Sequence, residues 1–229
     1  TGALDVLEGP VGMGMAMSGS ADWTKATAGL SKTYNIEAIT FKNHGCCGHT
    51  FAAIDGLLAL MKSAEITAHE VTKIDIATYG PAVSVTDRPD PQTPQECKFS
   101  MQYVIAHAAY FGSVRINAFE EMRMKDQEIR ALMPKISLTL DQQIDDQFPV
   151  RRAARVSVTS KAGGVFIHDQ HTRKGDPDLP LSDEELSEKF VELTSPVLGT
   201  HSTDKLLKNL WMLDQIDLSA CLTKAMSSK

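Results

Sequence analysis

Apolar positions change their spacing several times along the chain, and each change predicts a different element. From His49 onward, Ile54, Leu57, Leu58 and Met61 recur at steps of three and four, the spacing that lines one face of a helix. Residues 73–79 alternate instead. Ile74 and Ile76 fall on one side and Lys73, Asp75 and Tyr79 on the other, which predicts a half-buried strand. Residues 36–41 read as one more extended piece. A linker whose Pro89, Pro91 and Pro94 forbid regular structure then leads to a helix over 95–112, its apolar face marked by Met101, Val104, Ile105 and Ala108. Helical spacing continues over 129–133 up to Pro134.

Alternation resumes in Ile136, Leu138 and Leu140, then in Val156 with Val158 and Val165 with Ile167. The last two pairs flank Lys161-Ala162-Gly163-Gly164, small residues able to take positive φ, and so predict an antiparallel hairpin. Beyond the loop 171–180 the pattern is helical only. Ser182 and Glu185 form a capping box ahead of Leu186, Phe190 and Leu193, and a broad stripe of Leu206, Leu207, Leu210, Trp211 and Leu213 follows. The first forty residues give only short helical pieces, broken at Gly9-Pro10 and Ser18-Gly19-Ser20, with Ala21 to Leu30 as a second piece and no compact core. The fold class expected is α+β: a mixed, mainly antiparallel small sheet with helices, followed by carboxy-terminal helices. Those helices carry wider apolar stripes than this chain has partners for.

Composition narrows the function. With 42% hydrophobic residues, 23% charged residues and no run near the roughly 20 apolar residues of a membrane span, neither membrane insertion nor a membrane partner is expected. A net charge of -6 with scattered basic residues argues against nucleic acid, so an anionic ligand would need a local cationic pocket. Four cysteines, with Cys46 and Cys47 adjacent and Cys97 and Cys221 in helix-like context, make no disulfide framework, and a cytoplasmic location is expected. The start Thr1-Gly2-Ala3-Leu4-Asp5 lacks signal-peptide character and an initiator methionine, which suggests a fragment, a processed chain or a trimmed one.

Candidate chemistry concentrates in Phe41-Lys42-Asn43-His44-Gly45-Cys46-Cys47-Gly48-His49-Thr50-Phe51, at the start of a helix. First-turn N–H groups and the helix dipole favour an anion there, Lys42 adds a full positive charge, and His44 or His49 can exchange a proton near neutral pH. Lys42 is therefore expected to pair with a carboxylate and a histidine to transfer protons. On the 95–112 helix, Ser100, Tyr103, His107 and Tyr110 follow steps of three, four and three, a stripe expected to line a cleft, with Ser100 and Tyr103 orienting polar groups.

Other features read as bland. The adjacent cysteines between His44 and His49 do not fit the spacing of a zinc site, and no metal is expected. Gly12-Met13-Gly14-Met15-Ala16 has no preceding strand, so it is no dinucleotide fingerprint, and Met13, Met15 and Met17 read as core or interface filler. Asp145-Asp146 beside Arg151 and Arg152 reads as a solvated turn.

The segment around Lys42 resembles a signature of the MmgE/PrpD family, keeping Lys42, Cys46, Cys47, Gly48, Thr50, Ala52, Ala53, Ile54 and Asp55. It places His44-Gly45 where an aromatic-Pro pair is usual and Phe51 where relatives commonly carry histidine. Glu96-Cys97-Lys98-Phe99-Ser100-Met101-Gln102-Tyr103 and Arg173-Lys174-Gly175-Asp176-Pro177-Asp178-Leu179-Pro180-Leu181-Ser182, before Lys189-Phe190, resemble two more of its motifs in the right order. The resemblance implies the carboxy-terminal portion of such an enzyme. Residues 1–40 would end a helical segment, 41–181 would form a small α+β domain, and 182–229 would return to an all-helical domain across a substrate cleft. It further implies a cofactor-independent lyase for a small tricarboxylic acid, like 2-methylcitrate dehydratase or cis-aconitate decarboxylase. The alternatives are an epimerase of a substituted dicarboxylate, as in iminodisuccinate epimerase, and a non-catalytic half needing a separate amino-terminal chain. The candidate substrate-binding residues are Cys47, Gly48, Thr50, Lys98 and Ser100, the partners a polycarboxylate and the missing helical domain, and the assembly a homodimer.

Overall fold

The computed structural model describes residue 2 and residues 4–215, and the chain divides into two compact units, Thr1–Ile39 and Thr40–Lys229. Among its described residues the first unit holds one short helix, α1 (Met13–Met17), and 3-10 turns at Trp23–Lys25 and Asn35–Ala38. The extended piece expected over 36–41 is thus replaced at its start by a turn. Local bonds from Glu37 N–H to the Tyr34 carbonyl and from Ile39 N–H to the Ile36 carbonyl take the groups a ladder would use.

The second unit runs α2 (Phe51–Ser63), β1 (Val71–Thr78), α3 (Gly80–Thr86), α4 (Pro94–Lys98), α5 (Met101–Phe111), α6 (Glu121–Met124), α7 (Gln127–Leu132), β2 (Ile136–Leu140), α8 (Gln142–Asp145), β3 (Ala154–Ser160), β4 (Val165–Gln170), α9 (Asp183–Leu198) and α10 (Thr200–Trp211). It is an α+β structure. The sheet order is β2-β1-β3-β4. β1 pairs with β3 antiparallel, Ile74 opposite Val158, and β3 with β4 antiparallel, Ser157 opposite Ile167. The β1–β2 pair is parallel, because the chain between them crosses over through several helices instead of a tight turn.

One face of the sheet carries the core. Phe51, Ile54 and Leu57 of α2 and Met101 and Ile105 of α5 are fully buried with Ile74, Ile76, Val156 and Val158 from the strands. Each such side chain contributes about 1.5–3 kcal/mol of transfer free energy. Gly56 lets α2 approach closely, since a Cβ there would meet Val156 and Gln170 at 3.2 Å.

The structure adjusts several expected details. The 95–112 helix is two helices, because Ser100 leaves helical geometry to cap α5 by accepting from the Tyr103 N–H, and Gly112 closes α5 at φ 68°. Val165 and Ile167 are exposed on the edge strand while Phe166 packs on the core, so the phase of β4 is the reverse of that expected. Tyr79 does not share the solvent side of Lys73 and Asp75. β1 ends at Thr78, and the Tyr79 ring stacks on Phe148 in a second small core with Ala82, Ile144 and Ala153.

The capping box of Ser182 and Glu185 starts α9, and Trp211 of α10 donates its indole N–H to Ser187 Oγ at 3.1 Å. The ammonium of Lys189 donates to the Lys42 carbonyl, Lys174 pairs with Glu185 at 3.0 Å and Arg115 with Glu192 at 3.5 Å, tying α9 to the segments described next. Among the described residues no helix is long and apolar enough to cross a membrane. Cys221 and the end of the Leu206-to-Leu213 stripe's flanking chain beyond residue 215 lie outside the described residues.

Candidate functional site

The segment 41–50 is held by backbone bonds to distant parts of the chain. Phe41 N–H donates to the Gly175 carbonyl at 2.9 Å, Gly45 N–H to Val114 at 2.8 Å and Cys47 N–H to Lys98 at 2.9 Å. Gly175 takes φ 97°, and a Cβ there would lie 2.0 Å from the Phe41 carbonyl oxygen, so only glycine allows this approach. The 3-10 turn Gly48–Thr50 then leads directly into α2.

At that junction lies a pocket of about 390 Å³ whose polar lining includes Lys42, Cys47, Gly48, His49, Arg152 and Arg173. Arg173 is nearly buried and fully engaged: its Nε and Nη2 donate to the two carboxylate oxygens of Asp176 at 2.9 and 2.6 Å, and Nη2 also reaches Thr40. Burial opposes ionisation of Asp176, but the bonds from Arg173 and Thr40 win and hold its carboxyl below the usual aspartate value. Arg152 lies 5.8 Å from the Phe148 ring. Neither Lys42 nor Arg152 has an ion-pair partner among the described residues. Their charges remain available to an anion.

His49 Nδ1 and the Tyr79 hydroxyl share a hydrogen bond of 2.9 Å. Burial pushes the Tyr79 phenol up to about 12, so it stays protonated near neutral pH. Burial first, then the charges of Arg152 and Arg173, hold His49 below the ordinary histidine value, so the imidazole is neutral at pH 7. Both neutral tautomers suit this pair. If the phenol donates to Nδ1, Nε2 carries a proton to give; if Nδ1–H donates to the phenol oxygen, Nε2 is free to take one.

The remaining expected residues are placed elsewhere. His44 is buried, its Nε2 donating to Asp55 Oδ1 at 2.9 Å, while the other Asp55 oxygen accepts from Lys174 N–H at 2.8 Å. It therefore does not line the His49 pocket, although Lys42 lines both that pocket and a smaller one beside His44. The Thr50 hydroxyl is fully buried, donating to the Cys47 carbonyl at 2.8 Å beside the Cys46 thiol. Burial pushes that thiol up to about 12. The Lys98 ammonium sits over the Phe119 ring at 5.4 Å. The stripe expected along a cleft wall is packed inward: Ser100 donates to the Arg88 carbonyl at 2.6 Å, the Tyr103 hydroxyl to the Ala118 carbonyl, and His107 bonds the Ser113 carbonyl at 2.9 Å, all three buried. The helix α5 is enclosed on every side over Met101–Ala108, so a polar stripe on it meets backbone carbonyls rather than an open cleft.

Arg152, Tyr79 and Asp55 are the site residues that spacing alone did not single out. Asp55 and Arg173 stood within quoted motifs, whereas Arg152 stood in a polar run taken for a solvated turn. Thr78 Oγ1 donates to the Ala153 carbonyl at 2.8 Å beside the Thr78–Ala154 register pair, and this seam carries Arg152 to the pocket.

The human cis-aconitate decarboxylase is 29% identical over 143 residues, which are 62% of this chain and 30% of that protein. The mouse cis-aconitate decarboxylase is 26% identical over 144 residues, 63% of this chain and 29% of that protein. The chain thus spans about a third of the length of the curated relatives it matches. The model of the MmgE/PrpD C-terminal domain matches residues 44–213, a span holding the whole sheet, the helices from α2 to α10 and the lining of the His49 pocket apart from Thr40 and Lys42, and the chain belongs to the MmgE/PrpD family.

Proposed function

We propose that this chain forms one wall of the active site of a lyase acting on a small tricarboxylic acid, of the cis-aconitate decarboxylase or 2-methylcitrate dehydratase kind. The observation that carries this reading is the pocket in which Lys42 and Arg152, without acidic partners among the described residues, flank a neutral His49 at the start of α2. Carboxylates of the substrate pair with Lys42 and Arg152, and the first-turn N–H groups of α2 add partial positive charge. In decarboxylation the carbon–carbon bond breaks as carbon dioxide leaves. The electron pair passes into the conjugated system, and the Nε2–H tautomer of His49 gives a proton to carbon while Nδ1 takes the phenol proton of Tyr79, which solvent then restores. In dehydration the other tautomer takes the proton beside a carboxylate, and the imidazolium so formed hands it to the departing hydroxyl, which leaves as water. In both, the cations stabilise charge that grows on a carboxylate in the transition state.

The MmgE/PrpD membership and the similarity to the two decarboxylases support the reading. We further propose that helical residues outside this match, in the same or a separate chain, complete the cleft and cover the exposed Leu193, Val197 and Trp211. The test is steady-state kinetics of the catalytically complete protein with cis-aconitate and 2-methylcitrate, following carbon dioxide release and alkene absorbance. His49→Gln is expected to lower kcat about 100-fold or more, the scale of a lost acid–base group. Arg152→Met is expected to raise KM and also to lower kcat, because the guanidinium holds both the substrate carboxylate and the charge that grows on it. Wild-type kinetics in both variants would remove the assignment, and loss of optical rotation without either product would favour an epimerase.

A further inference from the structure

We infer that the smaller pocket beside His44 binds a small oxyanion of the phosphate or carboxylate class, as a second site that shares Lys42 with the pocket at His49. Its volume is about 150 Å³, and its lining includes Lys42, His44, Arg115, Lys189, Glu192 and Leu193. One water needs only about 10–15 Å³ by this measure, and drug-sized ligands need about 300–1,000 Å³, so the space fits a small ion with a few waters.

Two buried polar atoms at this pocket have no partner in the protein: His44 Nδ1, in a side chain only 3% exposed, and Arg115 Nη1. A buried polar atom without a partner is destabilising unless a ligand or water meets it. His44 gives its Nε2–H to Asp55, which leaves Nδ1 to accept a hydrogen bond or, in the imidazolium, to donate one. A hydrogenphosphate can serve as either partner. Arg115 Nε faces Glu192, the acidic side chain of the pocket, at 3.5 Å, and this single carboxylate stands against Lys42, Arg115 and Lys189. Burial first, then Arg115 and Lys42 against the pull of Glu192, hold the Lys189 ammonium below the ordinary lysine value, and its one bond to the Lys42 carbonyl leaves two N–H donors for an anion.

The experiment is a titration of the ¹⁵N-histidine-labelled chain with inorganic phosphate, and separately with acetate, read at the imidazole nitrogens of His44. Saturable shifts at His44 are expected with at least one of the two anions; the stronger response tells a tetrahedral from a planar preference. Arg115→Met and Lys189→Gln are each expected to weaken that binding about tenfold or more, the effect of one lost charge-assisted hydrogen bond. Arg152→Met, in the larger pocket, is expected to leave the His44 titration unchanged. Lys189→Gln alters a half-buried helix face, and it keeps the test open if Arg115→Met does not fold. His44 resonances that ignore both anions, or that respond equally in wild type and Lys189→Gln, would overturn the inference.

Discussion

At His49, burial, Arg152 and Arg173 act in the same direction, and all three disfavour the imidazolium. A neutral imidazole in a cationic pocket is a base that acid must work harder to silence. The acid limb of kcat/KM is therefore expected below the ordinary histidine range, and Arg152→Met, by removing one depressing charge, is expected to shift that limb to higher pH. A pH–rate profile of the two proteins checks the sign. Legibility at this scale followed contiguity. Lys42, Cys47, Gly48 and His49 lie within eight consecutive positions at a helix start, so local chemistry revealed them. Arg152 did not stand out, because what makes it different from Arg151 is the β1–β3 register that brings its neighbour Ala154 opposite Thr78. Spacing along α5 correctly put Ser100, Tyr103 and His107 near one another. It could not show that the surroundings of that stripe are the Arg88, Ala118 and Ser113 carbonyls, which come from segments outside the helix.

At the scale of elements, the loop before α9 is fixed by a seam that tolerates no side chain. Gly175→Ala would force a methyl group into the Phe41 carbonyl at a backbone angle L-residues rarely adopt. The expected result is a loss of several kcal/mol, about the size of a strained backbone plus a displaced hydrogen bond, read as a lower urea midpoint. A midpoint equal to wild type would show that the loop does not need this contact. Helix and strand existence was legible from periods of 3.6 and 2, because α2, α5 and the strands each bury one face on the same core. The phase of β4 was not. On an edge strand both faces carry apolar residues here, Val165 and Ile167 outward and Phe166 inward, so alternation alone could not tell which side met α2.

Over the whole molecule, pH acts on stability through two windows. His49 and His107 are both held below 6.5, chiefly by burial, so as pH falls below 6.5 the unfolded chain takes up protons that the native one resists. Stability is then fully present above 6.5 and lost as pH falls through the native values. Asp176, held below 3.8 by Arg173 and Thr40 against its burial, adds a second loss that starts near 3.8. Urea midpoints measured against pH are expected to begin falling near 6.5 and to fall again below about 4. A midpoint flat from about pH 7 to about pH 5 would contradict the histidine contribution. The mixed sheet was legible as a class, whereas its parallel β1–β2 pair was not, since that pairing is made by a long crossover with no local signal.

Asp55 gives one oxygen to His44 and the other to the main chain at Lys174, two segments far apart in sequence. A single carboxylate thereby works as a rivet through the start of α2. Any event that draws it toward one partner loosens the other, so occupancy beside His44 and the posture of the 173–176 loop are mechanically linked before a substrate arrives.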